Sequence, residues 1–330
     1  MMTAHHLAAI IPKQGGPLEI VYRPTPTPGP EELLIEVHSI ACNPIDYYMR
    51  DDGFFVASYP AVPGSDISGI VVAAGSSVPA AAPKSDPYYG ALQKKVLVPA
   101  SSVCPLPDAI SFNEGAILPM AVQTAMAAWY SVGLARDTKL TPTDKKGALV
   151  WGGSSSVGGA GVQQAANMGY VVYATASPRH HEYVKKLGAS KVFDYKDSDV
   201  VENIIKSSKE DGIAIDLAYD AAGALQSILD ILKVAKGDDV AKVASAIPLG
   251  PQPPTVEGMV IKFVSAPVDA IERNEWSQWL YWTWLKEKLQ TGEFVPSPSI
   301  KVVDGGLKSA NKALDELKGG VSGVKIVLEV

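Results

Sequence analysis

The stretch Gly147 to Ala165, GALVWGGSSSVGGAGVQQA, decides how the middle of the chain folds. Ala148 to Trp151 form a short apolar run suited to a buried parallel strand, and Gly152 to Ser156 form a turn with little side-chain bulk. From Val157 the residues tolerate a helix, with Val157, Ala160, Gln164 and Ala165 at helical intervals. A helix that opens directly after a strand aims unpaired backbone N–H groups and the positive end of its dipole into the turn. That arrangement favours a diphosphate.

The spacing matches the dinucleotide fingerprint G-x-G-x-x-G with one change. Gly153 and Gly158 hold the first and third places, and Ser155 holds the second. Serine is small enough for close approach, and its hydroxyl is expected to add a donor.

Beyond the turn, strand-like and helix-like segments alternate. Val171 to Thr175 precedes a helix from Arg179 to Leu187, and Lys191 to Tyr195 precedes Val200 to Ser208. Ile215 to Ala221 precedes Leu225 to Ala235, and Lys242 to Ile247 and Ile261 to Ala266 close the series. The pattern predicts right-handed βαβ units in a doubly wound parallel sheet, an α/β Rossmann fold, with the cofactor across the carboxyl ends of the strands. Cofactor choice is read where the second strand ends, the place where an NAD enzyme carries an acid for the ribose hydroxyls. This chain has Thr175, Ala176, Ser177, Pro178, Arg179 and His180. Ser177 offers a hydrogen bond and Arg179 a planar cationic fork, both suited to a 2′-phosphate. NADPH is therefore the expected cofactor.

Composition bounds the rest. The chain has 330 residues, enough for two domains with real cores, and is 47% hydrophobic and 19% charged. A net charge of -6 argues against nucleic acid or an anionic membrane surface as partner. Cys42 and Cys104 are the two cysteines, too few for a four-thiolate zinc site or a disulfide scaffold, so a reducing, cytoplasmic setting is expected. The opening MMTAHHLAAIIPKQGG lacks a basic region followed by a long apolar core, and no apolar run reaches membrane-spanning length.

The first third reads as β-rich: Leu7 to Ile11, Leu18 to Tyr22, Glu32 to Ile40 and Ile67 to Ala73, separated by Pro and Gly clusters. Such short strands with long connections suggest a compact, partly open barrel. The connections Ser39 to Arg50 and Pro60 to Gly69 put polar groups beside turn formers, as binding loops do. Leu118 to Ala135 is a long helical run. The helix Asn274 to Gln290 carries Trp276, Trp279, Trp282 and Trp284, expected either to wall a pocket for a flat substrate or to pack between domains. Phe294 to Val303 and Leu307 to Leu317 read as a strand and helix returning to the barrel.

Taken together, the chain resembles the zinc-independent medium-chain dehydrogenase/reductases of quinone oxidoreductase type, in particular the fungal trans-acting enoyl reductases. The resemblance rests on Asn43-Pro44-Ile45-Asp46, on Pro63 to Gly69, on Leu118-Pro119-Met120-Ala121 with Thr124, and on the Gly152 to Gly158 turn. Val192-Phe193-Asp194-Tyr195 and Val321 to Lys325 add to it. It implies a Rossmann NADPH-binding domain over residues 122–272 and a GroES-like catalytic domain, a partly open β-barrel, over 1–121 and 273–330.

It also shows what is missing. Zinc enzymes of this superfamily carry Cys where Asn43 stands and Gly-His-Glu where Gly64-Ser65-Asp66 stands. Amide and hydroxyl groups are poor zinc ligands, so no metal is expected. By resemblance, Asn43, Pro44 and Asp46 sit near the nicotinamide, and Thr124 meets its end. Ser154, Ser155, Ser156 and Val157 hold the diphosphate, and Ser177, Pro178, Arg179, His180 and Tyr195 hold the 2′-phosphate. Ile247, Pro248, Ser322 and Lys325 close over the cofactor. Tyr48, with Tyr47 and Tyr59 as alternatives, is the candidate proton donor, and solvent is a further one. The family's Gly-Asp-Arg-Val turn and strand are replaced by a short Ala/Pro/Ser stretch at Val78 to Pro87, which predicts a missing barrel strand.

The expected function is NADPH-dependent reduction of an enone, quinone or enoyl substrate. Action in trans on a carrier-bound polyketide, and a non-catalytic NADPH-binding role, are the alternatives. Expected partners are a small-molecule substrate and, in a polyketide pathway, a carrier protein. Either a monomer or a homodimer pairing through Ile261 to Ala266 fits, although the Pro248 to Pro254 loop stands beside that edge.

Overall fold

The computed structural model describes residues 4–76 and 89–330; the substituted stretch from Val78 to Pro87 lies outside the described residues. The chain divides into two units. Residues 1–120, 269–292 and 299–330 form the first, and residues 121–268 with 293–298 form the second.

The first unit opens with an antiparallel pair, β1 (His5–Ile10) and β2 (Glu19–Pro24). Next, β3 (Glu32–Ala41) forms the spine of a second sheet. Antiparallel to it run β4 (Asp66–Ala74), along its length, and β5 (Lys95–Pro99), along its first half. Leu33, Ile35 and Val37 alternate onto one core with Val96 and Ile326, the period-two signature of a half-buried strand. Between β3 and β4 lies α1 (Pro44–Asp52), which begins on a proline and ends at Gly53 with φ +69. A short α2 (Phe112–Ala116) is started by a capping box of Ser111 and Glu114.

The second unit takes over within α3 (Pro119–Ser131). There follow β6 (Lys146–Trp151), α4 (Ser156–Asn167), β7 (Val171–Thr175), α5 (His181–Lys186) and β8 (Lys191–Phe193). The series continues with α6 (Val200–Asp211), β9 (Ala214–Asp220), α7 (Leu225–Ala235), β10 (Ala241–Ser245) and β11 (Met259–Phe263). All six strands are parallel, in the order β11-β10-β9-β6-β7-β8. The direction of winding reverses between β6 and β9, which makes the carboxyl end of β6 the switch point at which such sheets bind ligands. Helices cover both faces, so the strands read as continuous apolar runs. On one face Leu149, Ile215, Ile228 and Val243 pack together. On the other, Trp129 meets Tyr219 edge-on at 5.6 Å and donates its indole N–H to Gln164 at 2.9 Å.

Several elements differ in their bounds from the sequence reading, and the strand expected from Phe294 forms only over Ser299–Val302. The last strand of the parallel sheet runs two to three residues earlier than Ile261 to Ala266, because its register is set by Ala241 opposite Met259. The helix expected from Arg179 starts as a 3₁₀ turn, Pro178–His180, and becomes α-helical only at His181.

The chain then re-enters the first unit. A continuous helical stretch comprises α8 (Ala270–Gln278), a π-helical turn over Trp279–Leu285 and α9 (Lys286–Thr291). After it come β12 (Ser299–Val302), α10 (Ala310–Lys318) and β13 (Val324–Glu329). The final strand lies between β12, parallel to it, and the end of β3, antiparallel. That insertion carries Lys325 to the end of β3 from which α1 departs. Among the described residues no helix is long and apolar enough to cross a membrane.

Candidate active site

Four buried polar residues of the first unit converge from three elements. Asn43 precedes α1, Asp46 lies in its first turn, Asp66 opens β4 and Lys325 is on β13; none is more than 4% exposed. Each has a donor or acceptor matched to it. Asn43 donates its amide to Asp66 Oδ2 at 2.8 Å and accepts from Lys325 Nζ at 2.5 Å. Lys325 Nζ stands 3.4 Å from the same Asp66 oxygen, and the Met120 N–H donates to the other at 2.7 Å. The Asn43 N–H donates to Asp46 Oδ2 at 2.8 Å, whereas Asp46 Oδ1 is buried with no hydrogen-bond partner.

The electrostatics follow from two carboxyl groups around one ammonium. Burial pushes the Asp46 carboxyl up to about 7 and the charge of Asp66 adds to that, while the Asn43 N–H and Lys325 pull the other way. Burial also raises Asp66, opposed by Lys325, Asn43 and the Met120 N–H. Cys42, one residue from Asn43, is 1% exposed with its thiol pushed up by burial, and behaves as a small apolar side chain.

This donor set does not fit zinc. Asn43 has both ends of its amide engaged, Ser65 is an exposed hydroxyl, and Asp66 accepts from three donors, one of them a cation. Among the described residues no cluster of three or more His, Cys, Asp or Glu side chains is arranged to hold a metal ion.

The second unit carries the glycine-rich turn between β6 and α4. Gly152, at φ +89, donates its N–H to Thr175 Oγ1 at 3.0 Å, and the Gly153 N–H bonds the Thr175 carbonyl at 2.9 Å. Buried Thr175, the last residue of β7, thus fastens the turn after β6. Gly158 is obligatory by contact: a Cβ there would stand 2.2 Å from the Gly152 carbonyl oxygen. Ser155 caps α4, accepting from the Gly158 N–H at 3.0 Å and donating to the Gly152 carbonyl at 2.8 Å. Its hydroxyl proton is therefore engaged within the turn itself. The N–H groups of Ser156 and Val157 lack intrahelical partners by the geometry of a helix start.

Beyond β7, the Ala176 N–H bonds the Phe193 carbonyl at 3.0 Å, so Ser177 to His180 and Tyr195 leave the sheet from adjacent strands. Arg179 is exposed and its Nε lies 3.2 Å from His180 Nε2. Tyr195 is 43% exposed with Lys196 over its ring. Burial and the Arg179 charge lower His180, leaving Arg179 as the cation of the group. Asp220, at the end of β9, is buried and gathers the N–H groups of Ala222, Gly223 and Ala224 at 2.7–3.2 Å, shaping the loop next to the switch point. These features fit a dinucleotide.

Among the remaining predicted residues, Thr124 is half-buried on α3, and Ile247 and Pro248 are exposed after β10. Pro44 and Tyr48 are exposed on α1, the Tyr48 ring 4.5 Å from that of Tyr47, while Ser322 is exposed before β13. Burial, together with the hydrogen bond and charge of Tyr48, pushes the Tyr47 phenol up to about 12. Lys325 has its ammonium buried between Asn43 and Asp66. The sequence reading also misses the roles of Thr175 and Asp220. A polar residue closing an otherwise apolar strand is the signal that marks both.

Comparison with known proteins agrees with this architecture. Residues 29–108 match the alcohol dehydrogenase GroES-like domain, and residues 156–260 match the domain described as zinc-binding dehydrogenase. The trans-enoyl reductase tndF of Aspergillus flavipes is 47% identical over 99% of both chains. The quinone oxidoreductase of Coxiella burnetii superposes with a TM-score of 0.72 at 25% identity, over 99% of this chain and 100% of that one. A mycobacterial protein whose structure was determined in complex with NADPH superposes with a TM-score of 0.73 at 22% identity, over 99% and 100%. The chain belongs to the medium-chain dehydrogenase/reductases of quinone oxidoreductase type, among the relatives of the fungal trans-enoyl reductases.

Proposed function

We propose that the chain is an NADPH-dependent enoyl reductase that acts in trans on a carrier-bound acyl thioester and uses no metal. One observation carries the reading. The positions that hold a catalytic zinc in the metal-dependent branch are an amide, a hydroxyl and a carboxylate, and the amide and carboxylate are already bonded to the Lys325 ammonium. Without a Lewis acid, the accessible reaction is reduction of a double bond conjugated to a carbonyl, since conjugation activates the β-carbon and the developing enolate needs only hydrogen-bond donors.

NADPH, when bound, supplies the hydride for the β-carbon. Ser156 and Val157 N–H groups would hold its diphosphate, and Ser177, Arg179 and Tyr195 its 2′-phosphate. The exposed phenol of Tyr48 is the proposed source of the α-carbon proton, which solvent then restores. Asn43 and Thr124 serve as positioning groups. The 47% identity to a trans-enoyl reductase supports the choice of an enoyl thioester over a free quinone.

The test is NADPH consumption with crotonyl pantetheine thioester, a quinone and a simple enone, each with and without a strong chelator. Turnover of the thioester, insensitive to chelation, is expected. Tight NADPH binding with no turnover of any substrate would leave a non-catalytic binding protein, and loss of activity on chelation would refute metal independence.

A further inference from the structure

The first unit holds a cavity of about 560 Å³ beside the polar cluster. One wall is the β4 segment from Ile67 to Val71. Another is formed by Tyr281, Trp282 and Leu285, from and beside the π-helical turn. None of the lining residues is charged. Its polar lining groups include three that face backbone carbonyls: Tyr281 OH donates to Pro119 at 3.2 Å, Trp282 Nε1 to Ala100 at 2.8 Å, and Ser68 Oγ to Phe112. These hydroxyl and indole donors are therefore not left over to recognise a polar ligand.

A volume of this size lies in the range of ligand pockets and far above the voids that ordinary core packing leaves. The apolar lining is also open to solvent: Ile70 and Val71 are each about half exposed, and Phe112 and Trp282 are 37% exposed. A π-helical turn, uncommon in itself, places the aromatic wall, and such turns concentrate at functional sites. At one end the cavity reaches the polar cluster. Ser65 and Ile67, which line it, flank Asp66, and the lining residue Pro119 precedes Met120, whose N–H bonds Asp66.

We propose that this cavity is the subsite for the apolar tail of the acyl substrate, and that it sets the chain length the enzyme accepts. The inference rests on the enoyl-thioester reading above. The occupant is an uncharged hydrocarbon chain, because the lining is mainly apolar and offers no charged partner to a charged group desolvated there. Burial of each methylene is worth about a four-fold gain in kcat/KM until the cavity is full.

The experiment uses trans-2-enoyl pantetheine thioesters of four to twelve carbons with the full chain. The wild type should show kcat/KM rising with length and then levelling. Val71→Trp places an indole at the half-exposed mouth, where folding is tolerant, and should lower the twelve- to four-carbon ratio at least thirty-fold. A second readout needs no turnover. Cys104 lines the cavity and is half-buried, whereas Cys42 is 1% exposed, so N-ethylmaleimide reports on Cys104. Saturated dodecanoyl pantetheine should protect Cys104 in the wild type and not in Val71→Trp, and acetyl pantetheine should protect neither. Absence of protection, or a length profile unchanged by Val71→Trp, overturns the inference. Failure to reduce any thioester overturns the proposed function instead, and Cys104 protection then still decides what the cavity binds.

Discussion

The Nζ of Lys325 lies 2.5 Å from the Oδ1 of Asn43, joining two buried groups 282 residues apart in the chain. Through it β13 is locked to the start of α1 and to Asp66. Removing the ammonium leaves a fully buried carboxylate without its cation, which typically costs about 3–5 kcal/mol. Lys325→Met should lose stability of that order in urea unfolding. The double variant with Asp66→Asn should recover a substantial part, because the uncompensated charge is gone. Equal losses in the single and double variants would refute the electrostatic account.

Asp46 makes stability depend on pH. Its folded value, about 7, lies above the unfolded value of about 3.9, so the folded state holds this proton more tightly. The resulting stabilisation is complete below about pH 4 and is lost as pH rises through about 7. Asp46→Asn has no proton to lose and keeps an acceptor for the Asn43 N–H. The stability of the variant relative to wild type should therefore rise between pH 5 and pH 8, by about 2 kcal/mol. Urea unfolding at both pH values measures it, and a constant difference would refute the buried-carboxyl assignment.

The doubly wound sheet was legible in the sequence because each of its strands and helices is specified locally. The run from Ala148 to Trp151 and the small residues after it need no distant partner to be read. The polar cluster was legible only in part. Asn43 and Asp66 stand out as replacements for metal ligands, yet no spacing rule connects either to Lys325, which reaches them through the pairing of β13 with β3. The hydroxyl of Ser155 escapes a sequence reading for a related reason. Its fate depends on the Gly152 carbonyl turning toward it, a backbone geometry that composition does not encode.

The turn at α4 separates helix stability from anion binding. Ser155→Ala deletes the acceptor for the Gly158 N–H and should cost about 1 kcal/mol of stability, with NADPH affinity changed by less than five-fold. Gly158→Ala drives a methyl against the Gly152 carbonyl, 2.2 Å from the new Cβ, so the turn must move. NADPH binding by calorimetry should weaken at least ten-fold in that variant. If Ser155→Ala proved the more damaging to binding, its hydroxyl would be a phosphate ligand after all.

Cofactor discrimination is the last point the site allows to be tested, and it turns on Arg179. The residue is exposed at the carboxyl end of β7, its neighbour His180 is shifted toward the neutral form, and no acid occupies Ser177 to His180. A hydrogen bond to a charged group is worth about 1.5–3 kcal/mol, a factor of roughly ten to a hundred in affinity. Arg179→Ala should weaken NADPH by that factor and leave NADH nearly unaffected, because NADH lacks the 2′-phosphate. Arg179→Glu adds repulsion and should lower the NADPH to NADH ratio further. Calorimetry on both cofactors with each variant supplies the four numbers. A parallel loss for the two cofactors would mean that Arg179 supports the fold of the 3₁₀ turn and does not read the phosphate.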